Sequence, residues 1–400
     1  MTLRGPLLVS LIWVGCGGPP ARKPPPDLSG VTAQFAPSAV PIGQALGIAA
    51  QLSLDDATAR SADLDRLGAL HAGFVRRDFL WAQLEPQAGT FDFAAEDAAV
   101  DATNARGLAT IGILAYDVAW ATPTGDEDAP PDPDKYATFV ETVAQHFRGR
   151  VAAWEIWNEP NLGFRFWKPN EDPAAYAELL ARAYPAVKRG DPAALVAFGG
   201  LNAEGVSTTG EDFLADAYFA RPDLGSFYDA LAFHPYPNYP PQRAPEVTDG
   251  RDYALGLKLA RVRATLVYYG DKQKPIWVTE YGYPVYGTVD EATQARFLVR
   301  GAIEALAAGA DRVAAYTLDD GPHPEAFPPE DAFGVVRFDG TPKPALAQLA
   351  QLAGLDPTAR LIADESSGDQ RSYRFAGASK KFTVTWITSD AADPAYAIDP

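Results

Sequence analysis

ATIGILAY (109–116), KYATFVETVAQHF (135–147) and VAAWEIW (151–157) follow one another with only loops between them. The first and third are runs of small, β-branched and aromatic residues with almost no charge, the mark of strands covered on both faces. In the middle segment Tyr136, Phe139, Val140, Val143 and Phe147 recur at helical spacing. Strand, helix, strand is the unit of a parallel sheet, because parallel neighbours need a crossover between them.

The same rhythm extends in both directions. Further apolar runs fall at 46–50 (LGIAA), 72–78 (AGFVRRD), 194–199 (ALVAFG), 228–234 (YDALAFH), 275–280 (PIWVTE) and 312–318 (RVAAYTL). Helical patterns separate them at 56–70, 94–106, 173–189, 211–220, 251–268, 291–308 and 343–353. The helix at 173–189 opens on Asp172 as cap with Pro173 in its first turn, and Gly190 closes it. Eight βα units in about 310 residues fit an α/β (β/α)8 barrel. A doubly wound sheet would also alternate, but no Gly-rich phosphate turn follows the first strand. The barrel is therefore expected over 45–357. Beyond it, SYRF (372–375) and FTVTWI (382–387) alternate with period two across AGASKK, which predicts a hairpin within a short β appendage over 358–400.

The 400 residues are 47% hydrophobic and 22% charged, a globular composition. Lys+Arg 34 against Asp+Glu 52 gives a net charge of −18, which argues against nucleic acid as a partner. A single cysteine excludes a disulfide framework, and the four histidines have no metal-ligand spacing, so no metal or cofactor is expected. Residues 1–16, MTLRGPLLVSLIWVGC, carry an apolar run too short to span a bilayer and end on that cysteine. This resembles a bacterial lipoprotein signal, with Trp13 where the pattern prefers Leu. The resemblance implies lipidation at Cys16 and a cell-envelope location, an ordinary cleaved signal being the alternative. The Pro-rich stretch 17–44 reads as a tether. GDEDAPPDPD (125–134) reads as a solvated loop, with a calcium site as the alternative.

In such a barrel the chemistry lies at the carboxyl ends of the strands. Those ends supply Arg76 and Asp78, Tyr116, Asn158 and Glu159, Asn202, His234 and Tyr236, Glu280, then Asp319 and Asp320. Glu159 and Glu280 come from opposite sides of the mouth, flanked by Trp154, Trp157, Trp277 and Tyr281. Two carboxylates in an aromatic cleft suit glycosidic-bond cleavage, one protonated and one ionised. Glu155, inside a strand, reads as a barrel-interior residue bonded to a neighbouring strand. Trp120 and Trp167 are expected to stack on sugars, with Phe164, Phe166, Tyr239 and Tyr286 in the same class of loops. Asp319 and Asp320 either bind sugar hydroxyls or cap their loop.

WEIWNEPN (154–161), WVTEYGYP (277–284) and FHPYP (233–237), with VRRDFLWAQLEPQAGTFDF (75–93) and DGTPKPA (339–345), resemble clan A retaining glycoside hydrolases. The similarity is greatest to the β-xylosidase and α-L-iduronidase family, family 39, and its endo-acting bacterial relatives. It covers about residues 45–355. The resemblance implies Glu159 as general acid/base and Glu280 as nucleophile. It also implies Asn158 on the sugar 2-hydroxyl, Arg76 and Tyr236 holding Glu280 ionised, and His234 lining the site, a core histidine being the alternative. Many clan members carry Trp on strand eight, where this chain reads AAYTLDD and Tyr316 stands as the substitute.

The function expected is hydrolysis of a β-linked polysaccharide or oligosaccharide by double displacement, by a monomer without cofactor. Apolar neighbours such as Trp157 and the charge of Glu280 are expected to keep Glu159 protonated. A non-catalytic carbohydrate-binding lipoprotein is the alternative, and transglycosylation and endo or exo action stay open. A serine hydrolase is set aside, since no GxSxG occurs.

Overall fold

The computed structural model describes residues 23–52, 56–122, 124–204, 208–237, 243–248, 254–326, 329–388 and 396–399. Eight parallel strands close into a barrel in sequence order: β1 (Leu46–Ala49), β2 (Phe74–Leu80), β3 (Ala109–Ala115), β4 (Ala153–Asn158), β5 (Leu195–Asn202), β6 (Ala230–His234), β7 (Ile276–Tyr281) and β8 (Ala310–Ala315). The ring is closed by Ile48 of β1, opposite Ala315 of β8 on one side and Val75 of β2 on the other. The predicted (β/α)8 barrel is thus the observed one.

The strands have few polar residues because both faces are covered. Phe74, Ile111, Ala153, Ala197, Ala230, Ala232, Trp277 and Ala314 fill the interior. The outer faces pack on the helices, as where Phe79 and Phe147 meet Trp154. In the helix Pro133–His146 the stripe Tyr136, Phe139, Val140 and Val143 is buried, as its spacing predicts. The helix Pro173–Gly190 runs through Gly190 instead of closing on it. It ends at Asp191 (φ −137°, ψ 101°), whose helical conformation is disfavoured by the ring of Pro192.

Two expectations about the ends need correction. The appendage is a four-stranded antiparallel sheet rather than a hairpin, adding β9 (Arg360–Asp364) and β12 (Ala397–Asp399) outside β10 (Gln370–Ala376) and β11 (Lys381–Ile387). Its alternating Tyr373, Phe375, Phe382, Val384 and Trp386 are buried, whereas β9 and β12 are short and carry no alternation long enough to read. Residues 23–41 are not a free tether but a strap bonded to the barrel. Lys23 Nζ donates to Tyr268 O at 3.0 Å, Arg261 Nη1 to Leu28 O at 3.2 Å, and Ala36 N to Ala307 O at 3.0 Å. Cys16 and the signal-like segment lie outside the described residues. Among the described residues no helix is long and apolar enough to cross a membrane. In the acidic loop Asp132 caps the helix Pro133–His146 and Asp128 pairs with Lys168 at 2.8 Å.

Candidate active site

Strict alternation along β4 would send Trp157 to the same side as Glu155. Instead Trp157 takes φ 69° and packs against Tyr136 and Trp167, and Glu159 takes φ 44°. Two bulky residues in the left-handed region within three positions are unusual, and such outliers gather at functional sites. The result is that Asn158 and Glu159 both face the cleft. Glu159 N donates to Gly200 O at 2.9 Å, while Gly200 N donates to Glu155 Oε1 at 2.8 Å. A Cβ on Gly200 would lie 2.1 Å from His234 Nε2, so only glycine lets β5 pass between these groups.

Glu280, at the end of β7, is held from two sides. Arg76 Nη1 donates to its Oε1 at 2.5 Å and the Tyr236 hydroxyl to its Oε2 at 2.8 Å. Arg76 is 3% exposed and also donates to Glu155 Oε2 at 3.1 Å, Glu155 Oε1 at 2.8 Å and Asn158 Oδ1 at 2.9 Å. Burial alone would lower the guanidinium pKa, but Glu155 and Glu280 outweigh it and carry it well above the usual value. Burial and then Glu280 push the Tyr236 phenol up, so it remains a donor. Glu155 is the interior strand-bridging residue its position predicts. Arg77 turns outward to pair with Glu96 on the helix Ala94–Ala105.

Glu159 is fixed through one oxygen. His234 Nδ1 lies 2.8 Å from Oε1, and Asn202 Nδ2 donates to the same atom at 3.0 Å. Among the described residues none bonds Oε2. The His234 tautomer follows from its other nitrogen: Nε2 faces Arg76 Nη2 at 3.4 Å, and a guanidinium only donates. Nε2 is therefore the acceptor, with Thr279 Oγ1 at 3.0 Å, and Nδ1 carries the hydrogen given to Glu159. Burial, the largest single influence, raises the Glu159 pKa, yet His234 and Asn202 together hold it below the usual carboxylate range. The substrate-free site thus departs from the expectation that Trp157 and Glu280 keep this carboxyl protonated.

An oxygen of Glu159, a nitrogen of His234 and an oxygen of Glu280 lie within 4.8 Å of one another. Among the described residues this is the one cluster close enough to hold a metal ion. The donor set fits poorly, because Nδ1 carries its hydrogen and Arg76 already neutralises Glu280.

The cleft has a volume of about 700 Å³. Arg76, Tyr116, Asn158, Glu159, Tyr236, Glu280 and Tyr316 line it, and His234 stands directly behind Glu159. Asn158 Nδ2 donates to the Tyr116 hydroxyl at 3.1 Å. Trp120 and Trp167 are corrections. Trp120 donates to Glu85 O and packs edge-on against Trp81, and Trp167 is 1% exposed between Trp157 and Tyr176. Both are loop packing, and the aromatic wall comes instead from Phe166, stacked on Tyr116 at 5.4 Å, and Phe164, 60% exposed. Asp319 is exposed and is not among the residues that line the cleft, and Asp320 bonds Lys343 and Gly334 N, each at 2.8 Å. Tyr239 lies outside the described residues. Gln51, Asp78, Asn202, Arg165 and Glu330 also line the cleft. Asp78 and Asn202 stand at strand ends, where position marks them; Arg165 and Glu330 sit in loops with no such mark.

No protein-family model matches the chain, and no curated protein matches it in sequence. Its fold matches solved glycoside hydrolases. A family 39 glycoside hydrolase from the gut symbiont Bacteroides cellulosilyticus WH2 superposes with a TM-score of 0.71 at 24% identity, over 88% of this chain and 72% of that one. A monomeric β-xylosidase from Caulobacter crescentus CB15 gives 0.62 at 19% identity, over 86% and 76%. A glucosidase from Croceicoccus marinus gives 0.61 at 20% identity, over 86% and 77%. By fold, then, the chain is a (β/α)8 barrel similar to the barrels of these enzymes. The named sugars differ among these proteins, so the sugar is not set by the fold.

Proposed function

We propose that the protein is a retaining glycoside hydrolase that cleaves a β-linked polysaccharide or oligosaccharide. The observation that carries this is the Glu159–Glu280 pair, with carboxylate oxygens no more than 4.8 Å apart. Retaining enzymes need their carboxyls about 5–5.5 Å apart, whereas inverting enzymes need about 6.5–9.5 Å to admit a water.

Glu280, paired with Arg76 and bonded by the Tyr236 hydroxyl, attacks the anomeric carbon as nucleophile. Glu159 donates a proton from Oε2 to the departing glycosidic oxygen, and the C–O bond breaks to leave a glycosyl-enzyme ester. Substrate that fills the cleft excludes water and strengthens the burial effect that favours the proton on Glu159. Glu159, now ionised, takes a proton from water, whose oxygen attacks the same carbon and frees Glu280. Asn158, held between Arg76 and Tyr116, offers its amide to the 2-hydroxyl. A purely binding protein would not need a desolvated guanidinium against one carboxylate and a free oxygen on the other.

Incubation with a slow 2-fluoro β-glycoside tests the reading: mass spectrometry should find the sugar on the peptide containing Glu280. Absence of labelling, with no reducing ends released from β-glucans, xylans or mannans, would sink it. The resemblance at residues 1–16 further supports a lipid anchor at Cys16 and a place in the bacterial cell envelope. Cys16→Ala should move the protein from membrane to soluble fractions, and an unchanged distribution would refute the anchor.

A further inference from the structure

Asp78 takes no part in the ion-pair network around it, although it lies among its members. Arg76 is committed to Glu155, Glu280 and Asn158, and Arg77 to Glu96. No described group donates a hydrogen bond to the Asp78 carboxylate, which lines the cleft half-buried. It lies close enough to Tyr116 and Tyr316 to oppose the ionisation of both. Burial, and then Glu280, push its carboxyl up to about 6 against the pull of Arg76, the state of a group without a partner.

Beside it stands Gln51, just beyond β1. Asp78 N donates to Gln51 Oε1 at 3.2 Å, and because a backbone N–H can only donate, the amide oxygen must face it. The Gln51 NH₂ therefore makes no bond to that N–H, and Gln51 and Asp78 both line the cleft, the one offering a donor and the other a carboxylate that can only accept. A donor and an acceptor side by side match a pair of neighbouring sugar hydroxyls, each of which both gives and takes a hydrogen bond. Cations do not balance this wall. The other lining guanidinium, Arg165, faces Glu330 at 3.4 Å.

We propose that Asp78 and Gln51 read adjacent hydroxyls of an uncharged sugar and that Asp78 excludes uronates from the cleft. This rests on the glycosidase reading and names the substrate class of that site. A carboxylated sugar would bring a negative charge against Asp78 and Glu280 with no uncommitted lining cation to meet it. A neutral sugar supplies the donor that Asp78 lacks.

The test uses residues 17–400, the described barrel with its appendage, at about pH 7, with β-glucan, xylan and mannan oligosaccharides and the C6-oxidised form of any hexose chain recognised. The wild type should prefer the neutral chain by at least about tenfold in kcat/KM, and Asp78→Asn should lose about ten- to a hundredfold on the neutral chain. The neutral-over-oxidised ratio should fall with it, while Gln51→Ala lowers both chains and leaves the ratio standing. Calorimetric titration with the same oligosaccharides reads the same preference without catalysis. No turnover but a neutral preference in binding that Asp78→Asn weakens would sink the hydrolase reading and uphold the Asp78 assignment. Equal use or binding of neutral and oxidised chains by the wild type, no binding of any neutral chain, or an Asp78→Asn variant like the wild type would each overturn it. Circular dichroism of the variant guards against a folding defect, and Asp78→Glu, which keeps the charge, should retain the ratio.

Discussion

His234 Nδ1 donates to the one oxygen of Glu159 that Asn202 also holds, and no described group donates to Oε2. The two donors stabilise the ionised carboxyl against its burial. If Glu159 is the acid of the proposed mechanism, kcat/KM is expected to fall as pH rises through its lowered pKa, which places the optimum on the acid side. His234→Phe removes a donor to the ionised form, so the Glu159 pKa rises and the alkaline limb of the kcat/KM profile should move to higher pH. Asn202→Ala should act in the same sense. A profile unmoved in both variants would show that Glu159 does not set that limb.

The two carboxylates should respond differently to removal. Glu280→Ala is expected to lose at least about a thousandfold in kcat on every substrate, since no glycosyl-enzyme can form. Glu159→Ala should lose about a hundred- to ten thousandfold on natural leaving groups and much less on nitrophenolates, which need no proton. Azide should restore turnover in Glu159→Ala and yield a glycosyl azide of retained configuration, readable by proton NMR. An inverted product would contradict Glu280 as nucleophile and Glu159 as acid/base.

Gly200→Ala tests the crowding behind the acid. Its methyl group would enter the space of His234 Nε2 at 2.1 Å and Glu155 Oε1 at 2.7 Å. A cost of about 1–3 kcal/mol in stability is expected from such overpacking, seen as a lower denaturation midpoint. Residual folded protein should have little activity, because His234 can yield only by leaving Glu159.

The junction between barrel and appendage should make stability depend on pH. Glu304, on the helix Glu291–Ala307, accepts from the Tyr373 hydroxyl at 3.0 Å and lies 3.8 Å from Arg371 Nε. Burial pushes its carboxyl up to about 7. The folded state therefore binds this proton more tightly than the unfolded chain, whose glutamates titrate near about 4.3. Its contribution is complete below that value and is lost as pH rises through about 7. Melting temperature should fall between about pH 5 and pH 8 by the equivalent of a few kcal/mol, and Glu304→Gln should flatten that fall. An identical slope in the variant would remove Glu304 from the explanation.

Much of this molecule was legible in the chain because its parts are local. A buried parallel strand is a short apolar run, and the residues at its end face the cleft, so Glu159, Glu280, Arg76 and Tyr236 could be placed at the candidate site from position and motif. Direction was not legible. Whether Trp120 faces a cleft or packs on Trp81 depends on a loop path that no period encodes, and Phe164 and Phe166 occupy the wall assigned to Trp120 and Trp167. The lowered pKa of Glu159 was hidden for the same reason, since His234 and Asn202 reach it from β6 and β5 across the barrel mouth.

The strap leaves the barrel beside Tyr268 and Tyr269, where the helix Leu255–Tyr269 ends at the foot, opposite the cleft. With Cys16 lipidated as proposed, the seven residues to Lys23 reach on the order of 25 Å. Anchored so, the barrel would stand with its cleft turned away from the membrane. It would graze on chains that drift past or press against the cell, and lipid-bound glycans rooted in the same leaflet would sit beneath it, out of reach.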